Sequence, residues 1–319
     1  MYFKRIILSV CAAIIGIYSS ANVSAADLVQ IGPSKCSSQE HCGQVDAIVF
    51  VHGIYGDTDT FINAETQFNW PEKFPRRLGN RSIDVFQLKY GNEIAGWAKK
   101  SNPSFEELSD SVLTALKPLR QKNYRTIGFI AHSLGGNVIS TYVHRLKTKF
   151  GHPQRSQNAF IITLATPILG SQWADRAGWL KSFLGMNDDL LASLENENLF
   201  LRMLSEFRQD ETQKERRYVC RPVNLHAAYE KEYLGPILVV STDSAALPIS
   251  NIVSSPIVGF GVDHSQIAKP KDEQDKIFKW VQDRVENEYL RVATWEAAHK
   301  DAPPSRQLCE LMDLIPEGP

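Results

Sequence analysis

The 319-residue chain lacks an excess of charge of either sign, with 35 Lys and Arg against 36 Asp and Glu for a formal net charge of −1. Without a basic surplus no nucleic-acid partner is expected, because phosphate binding draws on clustered Lys and Arg. It also lacks a hydrophobic run long enough to cross a bilayer. The apolar stretch near its start, Ile6 to Tyr18, falls short of the roughly 20 residues a spanning helix needs. Cysteines number only five, and no Cys/His spacing suggests a zinc site. Internal repeats and low-complexity segments are absent. No G-K-[ST] ending follows a Gly-rich turn, which argues against a phosphate loop. What is present is an ordinary globular composition, 43% hydrophobic, sufficient for one large domain or two small ones.

The N-terminus reads as a targeting segment. Lys4 and Arg5 precede the short apolar run, and Val23-Ser24-Ala25 places small residues where a signal peptidase reads them. Cleavage after Ala25 is expected, giving an exported protein, periplasmic or secreted, of residues 26–319. A retained membrane anchor is the alternative. With Cys11 removed, Cys36, Cys42, Cys220 and Cys309 remain. An even number in an oxidising compartment suggests two disulfides. Cys36 with Cys42 would close a short loop, and Cys220 with Cys309 would tie the middle of the chain to its tail. Cys42 with a distant partner stays open.

The chain is organised around Phe129-Ile130-Ala131-His132-Ser133-Leu134-Gly135-Gly136-Asn137. The apolar run from Thr126 to Ala131 predicts a buried strand. Val138, Tyr142 and Leu146 recur every four residues, as one face of a helix does. A sharp strand-to-helix turn crowds the positions two before and two after the turning residue, and here these are Ala131 and Gly135. The turning residue, Ser133, is then held in a strained conformation with its hydroxyl exposed beside a helix N-terminus.

This stretch resembles the G-x-S-x-G nucleophile elbow of the α/β-hydrolase superfamily, lipase- and esterase-like and similar to inositol-deacylase-like enzymes, with Ala131 in place of the first glycine. After the strand expected at Asp46 to Val51, His52-Gly53-Ile54-Tyr55-Gly56 resembles the H-G-x-x-G loop of that superfamily. The resemblance implies backbone N–H groups of Ile54 and Leu134 as the oxyanion hole, with His52 bracing the loop. Thr166-Pro167-Ile168-Leu169-Gly170-Ser171 and the segment from His264 to Pro270 resemble lipase-like counterparts.

Strand and helix patterns alternate along the chain. A second strand is expected at Ile83 to Tyr90. A helix capped at Ser104 carries the stripe Phe105, Leu108, Val112, Leu116 and Leu119. Another strand is expected at Ala159 to Ala165, and an amphipathic helix from Gln274 to Trp295. This order implies a mostly parallel, doubly wound sheet. Trp70-Pro71 is expected to end a short helix in an aromatic stretch that packs the core or meets an acyl chain. Residues 172–235 interrupt the rhythm and are expected to form a helical cap inserted in the single domain 26–319. The cap's apolar residues could give transient contact with a membrane surface.

Pro236 to Asp243 is expected to be a buried strand ending in a carboxylate, and Pro256 to Phe260 another, followed by Gly261-Val262-Asp263-His264. The order Ser133, Asp243, His264 matches that of nucleophile, acid and base in the α/β hydrolases. Serine is a poor nucleophile at its own pKa, so a base must take its proton and an acid must orient that base. Asp263 is a weaker candidate for the acid, and Asp188 and Asp189 are remote ones. The expectation is a serine hydrolase of carboxylic esters, on a small-molecule or lipid substrate, needing neither cofactor nor metal. Amide or thioester cleavage or acyl transfer would use the same triad. A non-catalytic binding protein on this fold would typically lack a triad member. No oligomeric state follows from the sequence.

Overall fold

A computed structural model describes residues 26–36, 45–53, 56–90, 105–122, 124–150, 158–166, 223–232 and 255–298. Its centre is β2 (Val45–Val51), whose seven residues VDAIVFV are all buried. A strand buried on both faces needs apolar residues at consecutive positions rather than at alternate ones. Beside it lie β4 (Arg81–Lys89) on one flank and β5 (Thr126–His132) on the other, both parallel to it. The sheet continues through β6 (Asn158–Leu164), β7 (Asn224–Glu230) and β8 (Val258–Phe260), giving the order β1-β4-β2-β5-β6-β7-β8 among the described residues. The strand β1 (Asp27–Ile31) closes the other edge antiparallel to β4, and the two-residue β3 (Arg77–Leu78) folds back on β4 as a hairpin.

Two layers cover this sheet, and β2 shows how they are divided. Ala47, Val49 and Val51 join one core with Leu108 and Val112 of α2 (Phe105–Ala115), Leu119 of α3 (Lys117–Gln121), and Val138, Tyr142 and Leu146 of α4 (Leu134–Phe150). Ile48 and Phe50 join the opposite core with Phe61, Trp70 and Phe74, and with Ile277, Val281, Val285 and Val292 of α5 (Lys276–Ala298). The period of two along the strand thus feeds one set of side chains to each layer. Phe50 meets Phe61, Trp70 and Phe74 edge-on at 5.1–5.7 Å between centroids. The aromatic stretch therefore packs the core.

Three expectations change. Trp70-Pro71 begins α1 (Trp70–Lys73) instead of ending a helix, because Pro fits the first helical turn, where its missing N–H has no partner to lose. The end of the expected cap, 224–230, is strand β7 of the core sheet. The strand β1 was not anticipated; it follows directly on Ala26, whose buried N–H donates to Ser111 Oγ at 2.6 Å. Residues 172–222, the strand expected at Pro236 to Asp243 and the segment before Ala26 lie outside the described residues.

Buried charges are compensated in pairs. Near the amino ends of the parallel strands, Arg81 makes two 2.6 Å bonds to the Asp46 carboxylate, which also accepts from Thr126 Oγ1. Between α5 and β7, Glu288 accepts from Asn224 Nδ2 and His226 Nε2, each at 2.8 Å, and from Arg291 Nε at 2.7 Å. Burial pushes the Glu288 carboxyl up, but the bonds from His226 and Asn224 and the Arg291 charge outweigh it and leave the pKa below its ordinary 4.5. A depressed carboxyl stabilises the fold fully above its unfolded pKa, and loses that contribution as pH falls through the folded value. Glu288→Gln should therefore cost about 3 kcal/mol at pH 7. The gap to the wild type, read from urea midpoints, should narrow below pH 4.5. A gap that widens on acidification would contradict this.

Candidate active site

Parallel strands deliver their carboxyl ends to one edge, and a crevice opens where successive connections leave in opposite directions. Here β2 is followed on one side by β4 and on the other by β5, so that point lies between β2 and β5. The segments leaving these two strands hold His52-Gly53 and Ser133.

Ser133 is the single residue between β5 and α4, and its φ is +51°. This left-handed conformation costs a non-glycine residue roughly 1–2 kcal/mol. It persists because neighbours fix both sides of the residue. Ser133 N–H donates to Leu164 O at 2.9 Å, while Ser133 O accepts from Gly136 N–H at 3.0 Å and from Thr166 Oγ1 at 2.9 Å. The need for a small residue two positions on is steric and comes from β2: a Cβ on Gly135 would lie 2.4 Å from His52 O and 2.8 Å from Val51 O. A Cβ on Gly53 would likewise meet Ser133 Cβ at 2.8 Å.

His264 lies beyond β8, in the turn that leads to the short 3-10 segment Gln266–Ala268. Its Nε2 is 3.0 Å from Ser133 Oγ, and its Nδ1 is 3.3 Å from Glu230 Oε1. Glu230 is the last residue of β7 and fully buried; Ser133 is 5% exposed and His264 6%. With Nδ1–H donating to the carboxylate, Nε2 carries a lone pair toward the serine hydroxyl, which is the arrangement a general base requires. Asp263 is engaged elsewhere, its Oδ1 accepting from the N–H groups of Ser265 and Gln266 at 2.8 Å each.

The loop after β2 is held by His52. Its Nδ1 lies 2.7 Å from Gly53 O, and its Nε2 lies 3.4 Å from Tyr90 N–H. A carbonyl only accepts and an N–H only donates, so Nδ1 carries the proton and the ring is neutral. Burial holds its pKa below the ordinary histidine value. The Tyr90 ring stacks on it at 4.3 Å, and the Tyr90 hydroxyl donates to His52 O. His52 thus takes up bracing bonds on both nitrogens. Leu134 opens α4, so its N–H belongs to the first turn, where helical N–H groups lack intrahelical partners.

Of the residues expected from the sequence, Ser133, His264 and Leu134 come together here. Ile54 and Asp243 lie outside the described residues, as do Asp188 and Asp189. Glu230 was missed. The available signal was a carboxylate closing the Ala- and Leu-containing segment Asn224–Glu230, which the sequence placed within the expected cap of residues 172–235. Among the described residues, no three or more His, Cys, Asp or Glu converge as metal ligands would.

Residues 43–221, more than half of the chain, match the family described as "Putative serine esterase (DUF676)". The chain is similar to a solved lipase-esterase related protein from Clostridium acetobutylicum ATCC 824, at 14% identity over 83% of this chain and 99% of that one, with a TM-score of 0.45. It is similar to mature Bacillus licheniformis lipase BlEst2, at 19% identity over 76% and 92%, with a TM-score of 0.48. For Est1E from Butyrivibrio proteoclasticus the values are 12%, 84%, 94% and 0.47. No curated protein matches it. The chain belongs to the serine esterase family matched by residues 43–221, and it is a serine hydrolase with the α/β-hydrolase fold.

Proposed function

We propose that this serine hydrolase cleaves carboxylic esters through an acyl-enzyme on Ser133. The observation that carries the reading is the 3.0 Å contact between His264 Nε2 and the hydroxyl of a serine held at φ +51°. Ser133 Oγ attacks the ester carbonyl carbon while its proton passes to His264 Nε2. The carbonyl oxygen, now an alkoxide, is held by the N–H of Leu134 and that of Ile54. Fixed backbone donors of this kind are worth about 100- to 1,000-fold each in rate. On collapse, the leaving alcohol takes the proton from Nε2. Water then gives a proton to the same nitrogen and attacks the acyl carbon; on collapse Nε2 returns that proton to Ser133 Oγ as the carboxylic acid leaves.

In this mechanism Glu230 is the triad acid, in the place given to Asp243 on sequence order. Its buried carboxylate at 3.3 Å selects the Nδ1–H tautomer and faces the imidazolium formed during attack. The substrate is a small-molecule or lipid ester. Export with cleavage near Ala25 and disulfides among Cys36, Cys42, Cys220 and Cys309 complete the proposal. So does a cap within 172–222 that covers the site and could touch a membrane surface. These last points rest on the sequence pattern alone.

A panel of p-nitrophenyl esters of increasing acyl length tests the reading. The mature wild type should hydrolyse at least one member, and Ser133→Ala should lose about 1,000-fold or more in kcat. Folded wild type inert on every ester would contradict it and direct attention to amides, thioesters or acyl transfer. The two carboxylates separate on the same substrate. Glu230→Gln should lower kcat by about 100- to 10,000-fold with KM little changed, and Asp243→Asn should stay within about 3-fold of the wild type. The opposite ranking would return the acid to Asp243.

A further inference from the structure

The reacting pair joins residues that the sheet does not hold together. Ser133 follows β5, whereas His264 follows β8, three strands away in the order β5-β6-β7-β8. At about 4.8 Å per strand that is roughly 14 Å, which the turn carrying His264 must cross over the ends of β6 and β7. Something beyond the ladder must fix its backbone. Downstream, Asn63 Nδ2 donates to Lys269 O and Thr66 Oγ1 to Lys271 O, each at 2.8 Å. At His264 itself the partner is His132. The Nε2 of His132 lies 2.8 Å from the backbone carbonyl of His264, and His132 is 8% exposed.

We propose that His132 is a positioning residue: its Nε2–H, donated to the His264 carbonyl, ties the base-bearing turn to the nucleophile strand and sets the distance from His264 Nε2 to Ser133 Oγ. This rests on the catalytic reading of Ser133 and His264 given above. Because a carbonyl only accepts, the proton of His132 sits on Nε2, and its Nδ1, buried, has no hydrogen-bond partner among the described residues. His132 is the last residue of β5 and the direct neighbour of Ser133, so one bond couples both halves of the pair. The ring centroids of His132 and His264 lie 5.0 Å apart. Burial, followed by the charge His264 acquires, pushes the His132 pKa down to about 3. His132 therefore stays neutral while His264 cycles between imidazole and imidazolium, and its single tautomer keeps the donor in place at every step. Thr166 plays the corresponding part for the other reacting residue, its hydroxyl donating to Ser133 O.

Two amide variants of the whole mature chain separate this role from plain packing. His132→Gln can present an N–H near the position of Nε2, whereas His132→Asn stops near Nδ1. The expected result on a p-nitrophenyl ester is kcat about 100-fold lower for His132→Asn, KM within about 3-fold, and kcat for His132→Gln within about 5-fold of the wild type. Glutamine falling as far as asparagine, or a loss confined to KM, would overturn the proposal. If the asparagine variant fails to fold, the glutamine value alone decides, on the same 5-fold limit. A second measurement stands apart from activity: imidazole ¹⁵N spectra of wild type should show His132 as the Nε2–H tautomer, unprotonated to below pH 5. A His132 that is Nδ1–H or titrates near pH 6.5 would overturn the proposal. Wild type that shows the expected tautomer but cleaves no ester leaves the clamp standing and defeats the ester reading.

Discussion

The left-handed backbone of Ser133 is the constraint around which the rest is arranged, because a residue at φ +51° holds that conformation only where its surroundings leave no alternative. Those surroundings come from three strands. β2 and the residue just past its end supply the carbonyls of Val51 and His52, which leave room for nothing larger than glycine at position 135. β6 supplies Leu164 O and, just past its end, the Thr166 hydroxyl. β5 carries the serine. A cost of one or two kcal/mol is small against this packing, and it returns a hydroxyl aimed away from the backbone at the head of a helix.

Among the described residues, two buried histidine–glutamate pairs begin four residues apart on β7, and their surroundings differ. His226 lies between Glu288 Oε1 at 2.8 Å and Ser255 Oγ at 2.9 Å, a composition that matches Ser133, His264 and Glu230. Yet Glu288 also accepts from Asn224 and Arg291, and Ser255 precedes a strand instead of turning into a helix. That set anchors α5 to the sheet. The other pair stands at the carboxyl edge, where the serine has the strained turn and the first-turn N–H of Leu134 has no intrahelical partner. Residue types alone do not distinguish the two; position relative to the strand ends does.

The same distinction explains what was legible beforehand. The elbow, the H-G loop and the strands around them were readable because apolar runs and small residues at fixed offsets reflect local sterics. His264 was readable from its place after a late strand. The acid was not. β7 reads Asn-Leu-His-Ala-Ala-Tyr-Glu, and its polar residues, satisfied by α5 and by the His264 turn, interrupt the apolar run expected of a core strand. That strand was assigned to the expected insertion, and Asp243, outside the described residues, was the carboxylate expected to orient His264. Partners 34 and 62 residues away in sequence carry no local signature. The edge strand β1 was hidden for a similar reason, since Asp27 is exposed, its other four residues are only partly buried, and it shows no apolar run.

The central claim is that Ser133 is an activated nucleophile. Its most direct measurement is the intact mass and peptide map of the protein after treatment with a fluorophosphonate. The account predicts one adduct per chain, on the peptide containing Ser133, formed by folded and not by urea-unfolded protein. Folded protein that takes up no label, or takes it on a residue other than Ser133, would contradict it.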